Sequence, residues 1–394
     1  MKVLHINTLH EKGGAALLMT TIAQNMEKIY EINNGYIIGR SSFENSDKML
    51  SLNKTEGYLF GQRKLKRILT ENGFMDVFLP SQGKFIIKKV KEINPDIIHL
   101  HNTHGDYFQI NLIKKLAKIA PIVWTFHDMF PVTGHCAHSF DCDKWQTGCG
   151  KCPYPDTYPQ ITKDRTFFLW KYKKSIYNSV DFKIVVPSAW LKSIIEKSFL
   201  KNKDIRLIYN GINVEKFIKT EKSVARGKLG LPNNKKIILF SAHGGVNNSF
   251  KGGSFVSYCF EQLKEREDVV FLNIGGTEEK MALLYSSADV FLYPTLADNC
   301  PLGVIESMAC GLPAVTFDTG GVCEIVEHMK SGYVARYKDA ADLLNGLLLL
   351  IDDKKLREEF SVAGILRANE YFNSKLMAKR YFELYNEVIL RHEK

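Results

Sequence analysis

Short runs of continuous apolar residues recur along the whole chain, separated by longer stretches with helical periodicity. The clearest runs are Lys2–Asn7, Ile97–His101, Ile122–His127, Phe182–Pro187, Lys236–Ala242, Val269–Gly275, Asp289–Pro294 and Ala314–Asp318. Continuous rather than alternating apolar residues suit strands covered on both faces, as in a parallel sheet. Strands alternating with helices imply right-handed βαβ units, so the fold class predicted is α/β, doubly wound. A chain of 394 residues exceeds one typical core, which predicts two Rossmann-like domains. The break falls near Arg206–Phe217, where Asn210 and Gly211 form a turn signal. The expected domains are 1–208, with a Cys-rich loop at 134–155, and 209–373. A last helix within 374–394 carries Tyr381, Phe382 and Tyr385 and is expected to pack back on the first domain.

With 45% apolar and 24% charged residues the composition is that of a soluble globular protein that needs no disulfides. The net charge of +10 points to an anionic partner or to a lysine-rich surface. The basic residues are spread out and form no recognition module, so nucleic acid is not an expected partner. The N-terminal apolar run is too brief for a signal core. The greasiest run, Leu343 to Ile351, contains Asn345 and is bounded by Asp342 and Asp352, well short of a membrane span. The expected location is cytoplasmic, where thiols stay reduced.

Doubly wound sheets bind ligands outside the carboxyl ends of their strands, so the residues after each strand matter most. Gly13 and Gly14, behind Glu11 and Lys12, follow the first strand and can let backbone approach a phosphate or sugar, although a Gly pair alone reads first as a plain tight turn. Asp298 and Glu306 lie eight positions apart across a strand-to-helix turn. Pro301 opens that helix and leaves its first amides, near Gly303, free to face an anion. Glu306 can accept hydrogen bonds from ribose hydroxyls, and Asp298 can reach a sugar ring. Lys251, in front of Gly252 and Gly253, could neutralise a diphosphate leaving group or be a solvated surface charge.

The segment from Asp298 to Glu324, together with Lys251-Gly252 and Asn210-Gly211, resembles the second half of the retaining glycosyltransferases of family 4, whose fold is GT-B: two facing Rossmann-like domains with an interdomain cleft. The segments Ile98–Gly105 and Trp124–Cys136 resemble a branch that makes bacterial surface polysaccharides. The resemblance implies a nucleoside-diphosphate sugar held mainly by the second domain, a glycan or lipid-linked acceptor on the first, and a hexosyl transfer that needs no catalytic metal. It gives Lys251 the diphosphate, Glu306 the ribose and Asp298 the donor sugar, while Gly13 and Gly14 make room for phosphate and sugar. It places His101 near the transferred sugar, with His127 as a second candidate; a purely structural bond would explain either histidine too. The sequence departs from the family in three ways. The first acid of the pair is Asp298 rather than Glu. The basic residue usual beside Lys251 is missing from the stretch His243–Phe250. Between Gly276 and Met281 a helix–strand stretch that helps bind the base is missing, which keeps open a degenerate protein that binds a glycan or nucleotide sugar without turnover.

Four of the 8 cysteines crowd into one polar loop as Cys136, Cys142, Cys149 and Cys152, which suits a structural zinc, with His135 and His138 as substitute ligands. Cys259, Cys300, Cys310 and Cys323 read as scattered small apolar residues. Two basic stretches, Arg63–Arg67 and Lys163–Lys174, the second with Phe167, Phe168, Leu169, Trp170 and Tyr172, suggest peripheral contact with an anionic membrane at its inner face; the alternative is core aromatics beside a solvated lysine face.

Overall fold

The computed structural model describes residues 1–10, 13–40, 46, 48–52, 67–77, 80–242 and 244–392. Glu11, Lys12, most of the Arg63–Arg67 cluster and His243 lie outside the described residues. The chain divides into two compact units, Met1–Ile208 with Ala378–Lys394, and Tyr209–Met377.

The first unit is built on seven parallel strands: β1 (Lys2–Asn7), β2 (Asn33–Ile38), β3 (Met49–Ser51), β4 (Ile97–Leu100), β5 (Ile122–Thr125), β6 (Lys183–Val186) and β7 (Ile205–Leu207). Their order is β3-β2-β1-β4-β5-β6-β7. The second unit has five: β8 (Lys236–Phe240), β9 (Val269–Asn273), β10 (Val290–Tyr293), β11 (Ala314–Phe317) and β12 (Gly332–Ala335), in the order β12-β11-β10-β8-β9. Neighbouring strands in both sheets run parallel. Each sheet reverses its winding once, between β1 and β4 and between β8 and β10. A crevice opens at such a switch point because the flanking connections leave to opposite faces.

Every apolar run singled out in the sequence forms a strand, but most stop one or two residues early. The run Ile97–His101 ends as a strand at Leu100, and Ile122–His127 ends at Thr125. The residues left over, His101 and His127 among them, lie at the carboxyl edge of the sheet, where the His101 amide still donates to the Ile6 carbonyl at 2.9 Å. Strands β2, β3, β7 and β12 were not anticipated. Strands β3 and β7 are three residues long, β2 opens with two asparagines and a glycine, and β12 opens with Gly332.

The buried strands β4, β5, β10 and β11 have no exposed residue, which matches their unbroken apolar sequence. The last helix, Ser374–His392, begins in the second unit and belongs to the first from Ala378 onward. Its Tyr381 and Tyr385 are buried against the first sheet, and Phe382 stacks on Tyr30 with ring centroids 4.1 Å apart. No helix among the described residues is long and apolar enough to cross a membrane.

Candidate functional site

In the second unit, Lys251 is delivered to the switch point by a backbone contact. Gly252 adopts a φ of +73°, and a Cβ there would stand 1.8 Å from the carbonyl oxygen of Pro294. Only glycine lets the chain pass so close to the end of β10. Lys251 Nζ then donates to the Tyr293 hydroxyl at 3.1 Å and pairs with the Asp298 carboxylate. Asp298 Oδ2 also accepts from Tyr293 Oη at 2.8 Å and from Thr295 Oγ1 at 3.1 Å. Burial disfavours the Lys251 cation, but the Asp298 charge outweighs it and holds the amine above its ordinary value. The sequence treated Lys251 and Asp298 as separate groups; the structure joins them in one ion pair.

Glu306 lies on the helix Leu302–Ala309, which Pro301 caps. Tyr285 Oη donates to its Oε2 at 3.2 Å. Burial pushes the Glu306 carboxyl from 4.5 up to about 7, against the opposing pull of the Tyr285 bond. Gly303 stands one turn ahead on the same helix face, where a Cβ would lie 3.3 Å from Tyr285 Oη. The loop before this helix is anchored from behind, since Asn210 Nδ2 donates to the Cys300 carbonyl at 3.0 Å. Lys251, Asp298, Gly303 and Glu306 thus gather around the carboxyl ends of β8 and β10.

In the first unit, Gly13 precedes the helix Gly14–Tyr30 with a φ of +90°, and among the described residues no atom lies within 4 Å of a Cβ placed on Gly13 or Gly14. Unsatisfied amides at such a helix N-terminus favour an anion.

Beside it runs a chain of histidines. Asn34 donates from Nδ2 to the carbonyls of Ala23 and Ile32, which turns its Oδ1 toward His5 Nε2 at 3.2 Å. His5 Nδ1 meets His101 Nε2 at 3.2 Å, and His101 Nδ1 meets His127 Nε2 at 3.0 Å. Burial lowers the His5 and His127 rings to about 4 and His101 well below its ordinary value, so all three are neutral near pH 7. A neutral imidazole carries one N–H and one lone pair. The Asn34 oxygen can only accept, so His5 holds its proton on Nε2. Each ring then hands the same tautomer to the next, and His127 is left with its acceptor lone pair on Nδ1. His101 is fully buried, whereas His127 is half-buried at the end of its strand.

His99 completes the group, bonding Thr125 Oγ1 at 2.8 Å and Tyr385 Oη at 2.6 Å. The donor atoms of His5, His99 and His101 lie within 4.8 Å of one another, a spacing a metal could bridge. All their ring nitrogens are already engaged in hydrogen bonds, however, so the cluster is satisfied by protein alone.

The sequence reading did not reach His5, Asn34, Tyr285 or Tyr293, and took Tyr385 for packing alone. A signal for His5 was present: His99 on β4 and His101 just past its end are two apart, and His5 is the register partner of His99 on β1. Cys136, Cys142, Cys149 and Cys152 come together with His135 around a single small pocket and form no disulfide.

Residues 58–216 match the family model described as Glycosyltransferase Family 4, and residues 254–367 match Glycosyl transferases group 1. The chain is 24% identical over 258 residues to the putative colanic acid biosynthesis glycosyl transferase WcaC of Escherichia coli, covering 60% of this chain and 63% of that protein. It is 29% identical over 200 residues to the N,N'-diacetylbacillosaminyl-diphospho-undecaprenol alpha-1,3-N-acetylgalactosaminyltransferase of Campylobacter jejuni, covering 45% of this chain and 53% of the relative. The matched stretches thus span between half and two thirds of these relatives. Among solved structures, sucrose-phosphate synthase from Thermosynechococcus elongatus superposes with a TM-score of 0.73 at 16% identity, covering 99% of this chain and 100% of that one. With two parallel Rossmann-like sheets, one family model falling almost wholly in each unit and a structural likeness over nearly its full length, the chain belongs to the family 4 glycosyltransferases of GT-B fold.

Proposed function

We propose that the protein moves a hexosyl group from a nucleoside-diphosphate sugar to a glycan or lipid-linked acceptor, with retention of anomeric configuration, in surface-polysaccharide assembly. The donor belongs to the second unit and the acceptor to the first. The observation that carries this reading is the Lys251–Asp298 pair, made by the segments that follow β8 and β10, with Glu306 on the helix that comes next. A departing diphosphate needs positive charge where its own charge develops, and Lys251 supplies it without a metal. The diphosphate must compete with Asp298 for that cation, and release of Asp298 would turn its carboxylate toward the sugar. Glu306 accepts the ribose hydroxyls, and Gly303 keeps the space above it clear. In the first unit, Gly13 and Gly14 admit phosphate or sugar to the helix amides. His127, half-buried at the end of its strand, is the histidine assigned to the transferred sugar, and His101 fixes its tautomer from behind.

Calorimetric titration with nucleoside diphosphates tests the assignment. Lys251→Ala and Glu306→Ala are each expected to weaken binding by about 1.5–3 kcal/mol, the worth of a charge-assisted hydrogen bond. Unchanged affinity in both variants would refute the roles.

A second reading, binding without turnover, draws on the second sheet. It has five strands, β9 is its edge, and the chain runs from β9 directly into the helix Glu278–Ser287. The stretch that normally helps hold the base is absent there. A donor-hydrolysis assay separates the two: release of free sugar above background supports the enzyme, and tight nucleotide binding with no release supports the binding protein.

A further inference from the structure

Residues 126–165, between β5 and the helix Thr166–Asn178, contain no strand or α-helix. Their regular structure is two three-residue 3₁₀ turns, Phe130–Val132 and Lys144–Gln146. A loop of this length inside a compact unit needs something other than backbone ladders to hold it. Part of it packs into the main core of the unit through Phe126, Met129, Val132 and Trp145, while Phe130 and Ile161 join Leu169 and Met75 in a satellite cluster with Cys152 on its edge.

Cys136, Cys142, Cys149 and Cys152 line one small pocket within this loop. The surroundings are arranged for sulfur that carries negative charge. The Gly134 amide donates to Cys149 Sγ at 3.2 Å. His135 donates from Nδ1 to the Pro159 carbonyl at 2.8 Å, which aims Nε2 at Cys152 Sγ, 3.2 Å away. That carbonyl bond is the kind of outer contact that orients a histidine beside a metal. Lys173, fully buried, donates to the carbonyls of Phe130 and Thr133 at 2.7 and 3.1 Å, on the loop's inner side.

We propose that the loop is a zinc knuckle in which Cys136, Cys142, Cys149 and Cys152 hold one structural zinc, with His135 Nε2 packed beside Cys152 Sγ. Zinc binding releases the four thiol protons and forms four Zn–S bonds with no change of oxidation state. The metal orders a segment that reaches the strand-end histidines. The Met129 amide donates to the Ala137 carbonyl and the Ala137 amide to the Tyr158 carbonyl, while Tyr158 Oη meets His104 Nδ1 at 3.3 Å. His104 in turn pairs with Asp128, the residue after His127.

The test is metal analysis of the full chain purified without added zinc, combined with a mercurial titration in which released zinc is read by a colour indicator. One zinc per chain, released as the cluster thiols are blocked, is expected. Cys142→Ser and Cys149→Ser should lower the bound zinc, whereas Cys323→Ser and His135→Ala should keep it at one. A folded wild-type protein with no zinc, with iron in its place, or with disulfides among these cysteines overturns the proposal. So does a His135→Ala protein that loses zinc while Cys142→Ser retains it. If the cysteine variants do not fold, the wild-type titration decides alone, because thiol blocking without zinc release overturns the assignment. None of these readouts depends on sugar transfer.

Discussion

Two side chains set the chemistry of this protein through their surroundings rather than their type. Glu306 is held near pH 7 by burial. Its folded value lies above the unfolded one, so between about 4.5 and 7 the native state binds the extra proton. The stability it contributes is therefore fully present below about 4.5 and is lost as pH rises toward about 7. A ribose hydroxyl donating to the carboxylate favours the charged form. Nucleotide binding at pH 6.5 should therefore release a proton, seen as a dependence of binding heat on buffer ionisation, and affinity should fall as pH drops below about 7. Glu306→Gln should abolish both effects; a proton release that persists in it would place the titrating group elsewhere. Asn34 acts on protons in another way, by fixing the tautomers of His5, His101 and His127. Asn34→Ala leaves the buried His5 Nε2–H without its acceptor and should cost about 1–3 kcal/mol in urea unfolding. In the wild type, ¹⁵N shifts should report the Nε2–H form at all three rings. A mixture of forms there would show that the chain is not ordered by Asn34.

At the scale of elements, the last helix is the part whose role was most legible and whose means were least so. Aromatics at positions 381, 382 and 385 predicted packing, and the helix does pack, but the sequence could not show that Tyr385 reaches His99 Nδ1 or that Tyr381 reaches Thr125 Oγ1. Partners hundreds of positions apart leave no trace in local periodicity. Tyr385→Phe removes the partner of a buried ring nitrogen and should lower stability by about 1–3 kcal/mol, whereas Phe382→Leu, beside half-buried Tyr30, should cost less. Equal losses would mean that the hydroxyl contributes nothing. The same limit explains the site. Most strands and the residues after them were readable because βα chemistry is local. The Lys251–Asp298 pair was not, because Gly252 folds the chain against Pro294 only once β10 is in place beside β8. The short strands β3 and β7 were missed because three residues carry too little pattern to distinguish from a loop.

For the molecule as a whole, the +10 charge finds a partial outlet on the helix Thr166–Asn178. Phe167 and Phe168 are exposed there, with Lys171 4.3 Å from the Phe167 ring, while Leu169, Trp170 and Lys173 are core. The sequence could not divide that segment between lipid and core; the structure leaves two aromatics and the lysines beside them for a surface. Co-sedimentation with anionic vesicles should occur at low salt and fade as salt rises, and Phe167→Ser with Phe168→Ser should reduce it several-fold. No sedimentation with anionic lipid at low salt would remove the membrane from the proposed function.

The bond between Tyr385 and His99 spans 286 positions of chain. During synthesis the ribosome delivers every strand of the first sheet well before the helix that closes its core. The second unit, whose chain is contiguous, can finish folding while the first still waits for its final piece. The unit made first therefore matures last. A nascent chain arrested near residue 210 should be digested readily by protease, and resistance across residues 1–208 should appear only once the last helix has left the exit tunnel.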